Sequence, residues 1–274
     1  MNKIAIFNIE CLSSSEAIIS LIERYHEKIA IVVTTNMYDD KKGNALTQLV
    51  KNSRRSGIKF AYYLSFNFLF YFWGIYLSRL ASLVGRKRKN YTIAELCKKY
   101  GIRHIKTSNI NSKEIETELQ QANLDLIVIY FFDQIIQENI IKIPKQGVLN
   151  VHAALLPECK GLFPVFYSAL NNNSQFGITV HEIVDTSIDS GPILGQQKII
   201  PPANQSILSL SKIINSGGVD LAQEVIDNLD YYRQHRKREN KGGSYFSYPT
   251  KENIRNIKEQ NYSLVSFSEF INQF

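Results

Sequence analysis

Apolar runs that alternate with helical patterns constrain the fold of this chain more than any other feature. Residues 3–7, 29–34 and 125–130 are short runs rich in β-branched side chains, without the polar alternation of a half-exposed strand. Segments with apolar residues at helical spacing lie between them. Strands that have no solvent-facing side belong to a parallel sheet covered by helices on both faces. The pattern therefore predicts a doubly wound α/β fold.

The second half of the chain continues this pattern. Further strands are expected at 147–151, 177–181 and 191–199, followed by a helix at about 207–229 that is interrupted near Gly217-Gly218. Pro201-Pro202 is a natural boundary. We therefore expect a main domain at 1–202, with an aromatic insertion at about 60–90, and a C-terminal helix and tail at 203–274.

Two of the helices have start signals that can be tested. Ser13 with Glu16, and Thr92 with Glu95, have the spacing of a capping box, in which a hydroxyl and a carboxylate each bond a free amide of the first turn. Gly101 is the expected end of the second helix.

Charge and cysteine content indicate the setting of the protein. The chain has 32 Lys and Arg against 25 Asp and Glu, a net charge of +7, with the excess concentrated at 86–89 and 233–241. These clusters suit nucleotide phosphates, RNA or anionic lipid, or they form a solvated basic face. Cys11, Cys97 and Cys159 are odd in number and far apart, which favours a reducing compartment over a disulfide framework. With no export leader visible, we expect a cytoplasmic protein.

Residues 60–78 form an uncharged stretch that raises the question of a membrane. Ten of its 19 residues are aromatic, four of them tyrosines, and the basic cluster follows. Aromatic residues with polar edges prefer an interface or a protein core to the centre of a bilayer. A buried or partner-facing helix, a membrane-surface helix and a membrane-spanning helix all remain open.

Polar residues collect where the predicted strands end. The chain contains no glycine-rich dinucleotide loop, P-loop, nucleophile elbow or pair of close cysteines. Asn150 and His152 are two residues apart and leave the same face of an extended strand. Asp189 precedes a Ser-Gly turn from which its carboxylate can reach His152. Taken singly, the three fit a capping residue, a core histidine and a turn residue equally well.

The motifs around these residues resemble those of the folate-dependent formyltransferases. They are Leu149-Asn150-Val151-His152-x-x-Leu155-Leu156-Pro157-x-x-x-Gly161, Gly177-Ile178-Thr179-Val180-His181 and Ile188-Asp189-Ser190-Gly191-Pro192-Ile193-Leu194. The family includes enzymes that act on glycinamide ribonucleotide, methionyl-tRNA and sugar nucleotides. The resemblance implies a Rossmann-like, mostly parallel sheet with a small C-terminal appendage, N10-formyltetrahydrofolate as cosubstrate and no metal.

The resemblance also assigns roles to residues. It implies that Asn150, His152 and Asp189 are catalytic, with Asp185 as the alternative carboxylate because the interval from His181 is one residue longer than expected. It further implies two loops around the pterin. The cofactor-binding residues expected from these loops are Phe131, Phe132, Ile135, Val184, Asp185 and Thr186. The family usually has Pro-Ser where this chain has Ala153-Ala154.

The residue types suit formyl transfer. An amine that attacks a formyl carbon produces a negatively charged oxygen, which the Asn150 amide and a protonated His152 can stabilise. The amine must also lose a proton, and a histidine oriented by a carboxylate can take it.

The acceptor is less constrained. About 70 residues follow Pro202, too few for the RNA-binding domain of a methionyl-tRNA formyltransferase, and the tail Tyr245-Phe246-Ser247-Tyr248 resembles those of enzymes that formylate small amines. An amino-sugar nucleotide is the favoured acceptor, and methionyl-tRNA or another small amine is the alternative. A different class of function, a non-catalytic membrane-surface or RNA-binding module on the same fold, was weighed as well. A weak membrane-surface contact and a homodimer are the other partners considered.

Overall fold

The computed structural model describes residues 3–35, 45–83, 91–171, 175–236, 240 and 242–266. The basic cluster at 86–89 and residues 237–239 and 241 of the second cluster lie outside these ranges. The strands are β1 (Ile4–Ile9), β2 (Ile29–Thr35), β3 (Arg103–Thr107), β4 (Leu126–Tyr130), β5 (Val148–His152), β6 (Lys160–Gly161), β7 (Phe176–Ile183), β8 (Ile193–Ile199) and β9 (Tyr245–Phe246).

The helices lie mostly between the strands. They are α1 (Ser15–Tyr25), α2 (Ala45–Ser56), α3 (Ile58–Ser65), α4 (Tyr71–Leu83), α5 (Ile93–Tyr100), α6 (Lys113–Gln121), α7 (Glu138–Ile141), α8 (Pro164–Asn171), α9 (Ile207–Gly217), α10 (Val219–Asp227), α11 (Leu229–His235) and α12 (Lys251–Glu259). A π-helical turn, Phe66–Phe70, joins α3 to α4.

Seven strands form one twisted sheet in the order β3-β2-β1-β4-β5-β7-β8. The first five are parallel, and β7 and β8 add to the edge in antiparallel orientation. This confirms the predicted Rossmann-like, mostly parallel sheet. The strand order reverses between β1 and β4, and the crevice beyond the carboxyl ends at such a point is the usual ligand site of this architecture.

Side chains of β1 explain why the sheet is covered on both faces. Ile4 and Ile6 pack into one apolar core together with α1, whereas Ala5 and Phe7 pack into a second core on the opposite face. All four are buried. Each large side chain buried in this way contributes roughly 1.5–3 kcal/mol, so neither face of the strand can be left to solvent.

The predicted helix starts have different outcomes. Thr92 and Glu95 form the expected capping box of α5, and Gly101 ends that helix with a left-handed φ of 67°. The box predicted for Ser13 and Glu16 is wrong. α1 begins at Ser15, and the Ser14 hydroxyl bonds the Ile9 carbonyl at 3.3 Å instead of capping the helix.

The C-terminal helices share a core with the sheet. α9 ends at Gly217 and α10 begins at Val219, which confirms the interruption expected at Gly217-Gly218. A β-carbon on Gly218 would lie 2.5 Å from Ile178 of β7, so the break lies where a helix contacts a strand. Ile207 and Ile214 belong to the same apolar cluster as Ile6. The division of the chain at residue 202 stays a prediction.

The aromatic helix, as we call Ile58–Leu83, comprises α3, the π-helical turn and α4. Its first part is buried, with Phe60 and Phe66 in the core, whereas Trp73 and Tyr76 of α4 are 60% and 51% exposed. The segment is therefore partly a buried helix, as one of the alternatives expected, and partly an exposed apolar face. Within the described ranges, no helix combines the length and apolar character needed to cross a bilayer.

Candidate active site

A cavity of about 530 Å³ opens at the carboxyl ends of the central strands. The three residues expected to be catalytic, Asn150, His152 and Asp189, all line it, and so does His181. Register explains part of this convergence, because Asn150 of β5 pairs directly with His181 of the antiparallel neighbour β7. Asp189 comes from the turn that connects β7 to β8.

Asp189 is the centre of the group. Its Oδ1 accepts a hydrogen bond from Asn150 Nδ2 at 3.1 Å and lies 3.3 Å from His181 Nε2. Its Oδ2 accepts from the backbone N–H of Gly161 at 2.8 Å and lies 3.5 Å from His152 Nδ1. The backbone of Asp189 is left-handed, with a φ of 47°. Such conformations are costly for residues other than glycine and are concentrated at functional sites.

The surroundings of Asp189 keep it ionised. Burial raises the pKa of the carboxyl, but the charge of His152, the hydrogen bond and charge of His181 and the N–H of Gly161 outweigh it and bring the pKa well below its ordinary value. A buried carboxylate with several donors is stabilised in its charged form. Asp189 is therefore a fixed negative charge between two imidazoles at neutral pH.

His152 lies between two oxygen acceptors. Its Nε2 is 2.9 Å from the carbonyl oxygen of Cys159, and its Nδ1 faces Asp189. A carbonyl can only accept, so Nε2 carries a hydrogen and the proton that can be exchanged is at Nδ1. A ring with hydrogens on both nitrogens satisfies both contacts.

Asn150 and His181 form a second pair beside the carboxylate. His181 Nδ1 donates to the Glu182 carbonyl oxygen at 3.0 Å, which leaves Nε2 as an acceptor for Asn150 Nδ2 at 3.0 Å. The two hydrogens of the Asn150 amide therefore have two acceptors, His181 and Asp189. Donation from this amide to a substrate oxygen requires exchange of one of these bonds.

Two contributors to the site were not predicted from the sequence as functional residues. His181 stood in a quoted motif, and the alternation of side chains along β7 could have placed it beside Asn150. Gly161 holds Asp189 through its amide, with a φ of 93°. A β-carbon there would lie 2.2 Å from the Phe246 carbonyl oxygen, so glycine is required where β6 meets β9.

A buried network supports the Asp189 turn from behind. Asn240 donates through Nδ2 to the carbonyl oxygens of Asp189 and Gly191, at 2.8 and 3.2 Å. The buried Lys160 donates to the Asn240 carbonyl oxygen at 3.0 Å. These contacts connect the C-terminal segment to the turn that carries the central carboxylate.

The loops expected to bind the pterin form another wall of the cavity. Phe131, Phe132 and Ile135 line it after β4, and Asp185 and Thr186 line it after β7. Phe131 has a φ of 56°, and the Ile9 amide holds its carbonyl oxygen at 2.9 Å. The remaining predicted residue does not line the cavity.

That residue is Val184, which is 58% exposed. Side chains alternate along an extended segment, so Val184 faces solvent while its neighbours Ile183 and Asp185 line the cavity. Asp185, the alternative carboxylate, is exposed and its Oδ1 accepts from the Ser187 amide at 2.7 Å. Asp189, not Asp185, contacts the two imidazoles.

Part of the second basic cluster has a structural partner. Arg233 and Arg236 both contact the buried Glu182, at 2.9 and 2.5 Å. These two cations therefore anchor α11 to β7 and are not available for a phosphate. In the part of the chain that the structure describes, no group of three or more His, Cys, Asp or Glu side chains has the arrangement of a metal site.

Comparisons with known proteins agree with this geometry. Residues 78–227 match the model of the Formyl transferase family. Methionyl-tRNA formyltransferase from Syntrophomonas wolfei subsp. wolfei is 32% identical over 145 residues, covering 53% of this chain and 46% of that protein. The protein of the same name from Finegoldia magna is 34% identical over 140 residues, covering 51% and 45%. The chain thus spans about half the length of these curated relatives.

Solved structures share the fold. WlaRD, a sugar 3N-formyl transferase whose structure was solved with dTDP and 5-N-formyl-THF, covers 98% of this chain with a TM-score of 0.57 and 18% identity, over 81% of its own length. Phosphoribosylglycinamide formyltransferase from Anaplasma phagocytophilum covers 89% of this chain and 98% of its own, with a TM-score of 0.56 and 14% identity.

Proposed function

The chain belongs to the formyl transferase family, and from that premise we propose that it transfers a formyl group from N10-formyltetrahydrofolate to a primary amine. One observation carries the proposal. Asn150, His152, His181 and Asp189 come from two strands and a turn, and they meet at one cavity within hydrogen-bonding or ion-pair distance of one another.

The cavity suits a reduced folate. Phe131, Phe132 and Ile135 give one wall an apolar surface, while Asp185 and Thr186 add polar groups beside it. A flat ring system with polar edges needs this combination of apolar faces and a few fixed polar groups. The folate supplies the one-carbon unit, and the chemistry that moves it depends on the residues beside this wall.

Each polar residue then has a task. The Asp189 carboxylate stabilises a proton on His152, whose Nδ1 takes the proton that the attacking amine loses and returns it to the departing nitrogen. The protonated ring and one hydrogen of the Asn150 amide stabilise the negative charge on the formyl oxygen. His181 receives the amide when that hydrogen is not in use and keeps Asn150 oriented.

For the acceptor we propose an amino-sugar nucleotide. Tyr245 and Tyr248 of the tail line the same cavity as the catalytic group, where they can contact a nucleobase or sugar. The match to WlaRD, which extends over nearly the whole chain and whose title names dTDP, supports this acceptor. Methionyl-tRNA is the alternative, because the curated relatives carry that name.

A panel of amines tests the proposal. The full chain is incubated with N10-formyltetrahydrofolate and, separately, with amino-sugar nucleotides, glycinamide ribonucleotide or methionyl-tRNA, and release of tetrahydrofolate is followed. We expect turnover with an amino-sugar nucleotide that is lost in His152→Ala. Turnover with methionyl-tRNA alone would replace the acceptor, and no turnover with any amine would remove the proposed activity.

The exposed face of α4 supports a second proposal, a weak contact with an anionic membrane surface. Trp73 and Tyr76 project from a helix that the sequence follows with Arg86-Lys87-Arg88-Lys89. Aromatic residues with polar edges prefer the interfacial region, and nearby cations add attraction to anionic lipid. Such a contact is compatible with catalysis, because this face lies outside the residues that line the cavity.

A further inference from the structure

The cavity has a basic wall that the proposed catalytic steps do not use. Lys51 and Arg55, one turn apart on α2, both line it. Both are exposed, and Lys51 has no hydrogen-bond or ion-pair partner among the residues that the structure describes. A solvated ammonium beside a cavity is a binding group for an anion.

Arg55 is held in place on this wall. Its guanidinium lies 3.2 Å from the ring centre of Tyr248, and its Nη2 donates to the Oδ1 of Asn52 at 2.5 Å. Tyr248 is itself packed edge-on against Phe163, with ring centres 5.2 Å apart. A stacked guanidinium still has donors free for a ligand, and its fixed position lowers the entropy lost on binding.

The charge of this wall is not neutralised within the cavity. Among the described lining residues the carboxylates are Asp133, Asp185 and Asp189, all on loops that follow strands of the sheet. Asp189 is already paired with two histidines, and Asp133 accepts a hydrogen bond from Thr35 at 3.0 Å. Neither α2 nor the Tyr245–Phe246 strand adds an acidic residue to the lining.

The usual anion position of a doubly wound fold is closed in this chain. The turn between β1 and the first helix commonly binds phosphate through free backbone N–H groups. Here the Leu12 N–H donates to the carbonyl oxygen of Asn67, and the Ser13 N–H donates to its Oδ1, both at 2.9 Å. Asn67 is buried and comes from the π-helical turn of the aromatic helix. Its side chain takes the place that a phosphate oxygen would need.

We propose that Lys51 and Arg55 bind the diphosphate of the acceptor, and that Asn67 keeps phosphate out of the first turn of the sheet. This inference rests on the proposed function, because it assigns the anionic part of the acceptor to a wall of the same cavity. It gives α2 the role of the specificity element. It also gives the aromatic helix a chemical role, since the insertion that closes one anion position leaves the other open.

Binding without turnover tests the proposal. Titration calorimetry on the full chain uses dTDP, UDP and inorganic pyrophosphate as probes, with no folate present. We expect wild type to bind at least one nucleoside diphosphate, and Lys51→Met and Arg55→Gln each to weaken that binding by roughly tenfold to a hundredfold, the loss expected for a charge-assisted hydrogen bond. The matched control is Arg54→Gln, an exposed cation on the same helix that does not line the cavity and should change binding less than twofold (about).

The outcomes separate this inference from the proposed function. Failure of wild type to bind any probe, or equal binding by wild type and Lys51→Met, overturns the anion site whether or not formyl transfer is found. Binding that depends on Lys51 supports it even if no amine in the panel is formylated. Where an acceptor is found, Lys51→Met should raise its KM and leave kcat and the folate KM nearly unchanged, and an unchanged acceptor KM contradicts the assignment.

Discussion

The strand ends that carry the catalytic group and the helices that cover them are built in opposite ways. At the strand ends, Asn150, His152 and Asp189 are each held by two or more partners at 2.8–3.5 Å. On the cover, formed by α2 and the aromatic helix, Lys51 has no partner among the described residues and Trp73 is 60% exposed. One region has fixed its polar groups, and the other presents unsatisfied ones.

This difference follows from what each region must do. Charge that develops during a reaction is stabilised best by dipoles that are already oriented, because they need no reorganisation when the charge appears. A binding wall instead gains when its groups exchange water for ligand. The comparison predicts that changes at the strand ends affect turnover, whereas changes on the cover affect binding or, where the cover enters the core, stability.

The sharpest contrast lies within the aromatic helix itself. Phe60→Ala removes a fully buried ring that contacts Phe163 and Phe166, and we expect the free energy of unfolding to fall by about 3–5 kcal/mol. Trp73→Ala on the exposed face should change it by no more than about 0.5 kcal/mol. Urea unfolding of both variants measures the difference. Equal effects would show that α4 is buried in a way the structure does not describe.

Catalytic substitutions test the other side of the comparison. Asn150→Ala, His152→Ala and Asp189→Ala should each lower kcat by roughly a hundredfold to a thousandfold, because each removes part of one oriented network. Asp185→Asn is the matched control, since its carboxylate lies on the same loop but contacts neither histidine. Steady-state kinetics with a saturating amine provide the measurement. A larger loss in Asp185→Asn than in Asp189→Asn would reverse the assignment of the carboxylate.

Gly161 tests how the tail supports the site. Gly161→Ala places a methyl group 2.2 Å from the Phe246 carbonyl oxygen at a φ of 93°, and we expect a loss of roughly 3 kcal/mol in unfolding free energy with a fall in kcat. Gly101→Ala is the control, since it also has a positive φ but no atom within 4 Å of the added carbon. That variant should lose only about 1 kcal/mol and keep its kcat.

Acid stability tests the charge of Asp189. Because the folded-state pKa of this carboxyl is lowered, its contribution to stability is fully present above the unfolded pKa of about 3.9 and is lost as the pH falls through the folded value. The stability advantage of wild type over Asp189→Asn should therefore persist at pH 5 and shrink only below about pH 4. Urea midpoints at pH 7, 5 and 3 measure it. Loss of the advantage already above pH 5 would mean that the carboxyl titrates normally.

The smallest expected effect concerns the exposed face of α4. Trp73→Ala and Tyr76→Ala should reduce flotation of the full chain with vesicles that contain anionic phosphatidylserine, by a few-fold at low ionic strength (about). Tyr231→Ala is the control, an exposed tyrosine on α11, far along the chain from the aromatic helix. Equal flotation of all three variants and wild type would remove the membrane contact.

The fold and the catalytic residues could be predicted from the sequence where burial is two-sided. β1, β2, β4 and β5 consist of apolar runs that have no other stable place. β3 was missed because Arg103–Thr107 is an edge strand that pairs only with β2 and keeps polar side chains in solvent. The polar residues at the ends of β5 and in the turn after β7 were found through a motif, and the structure brings all three together.

Long-range backbone contacts could not be predicted in this way. Gly161 holds Asp189 only because β6 pairs with β9, and these two strands are more than 80 residues apart along the chain. Asn67 bonds the Leu12 and Ser13 amides from an insertion whose composition indicated only an interface or a core. Lys51 gave no signal of its own, because an exposed lysine on a helix has no sequence pattern that separates a binding group from a solvated one.

The pairing of β6 with β9 gives the last-made part of the chain control over when the site becomes ordered. The amides of Lys160 and Leu162 donate to the carbonyl oxygens of Ser244 and Phe246, on either side of the residue that bonds Asp189. Until this short strand has left the ribosome and docked, the carboxylate lacks a rigid donor. The protein therefore matures from its C-terminal side, and a nascent chain shorter than about 246 residues is expected to be folded at the sheet yet inactive.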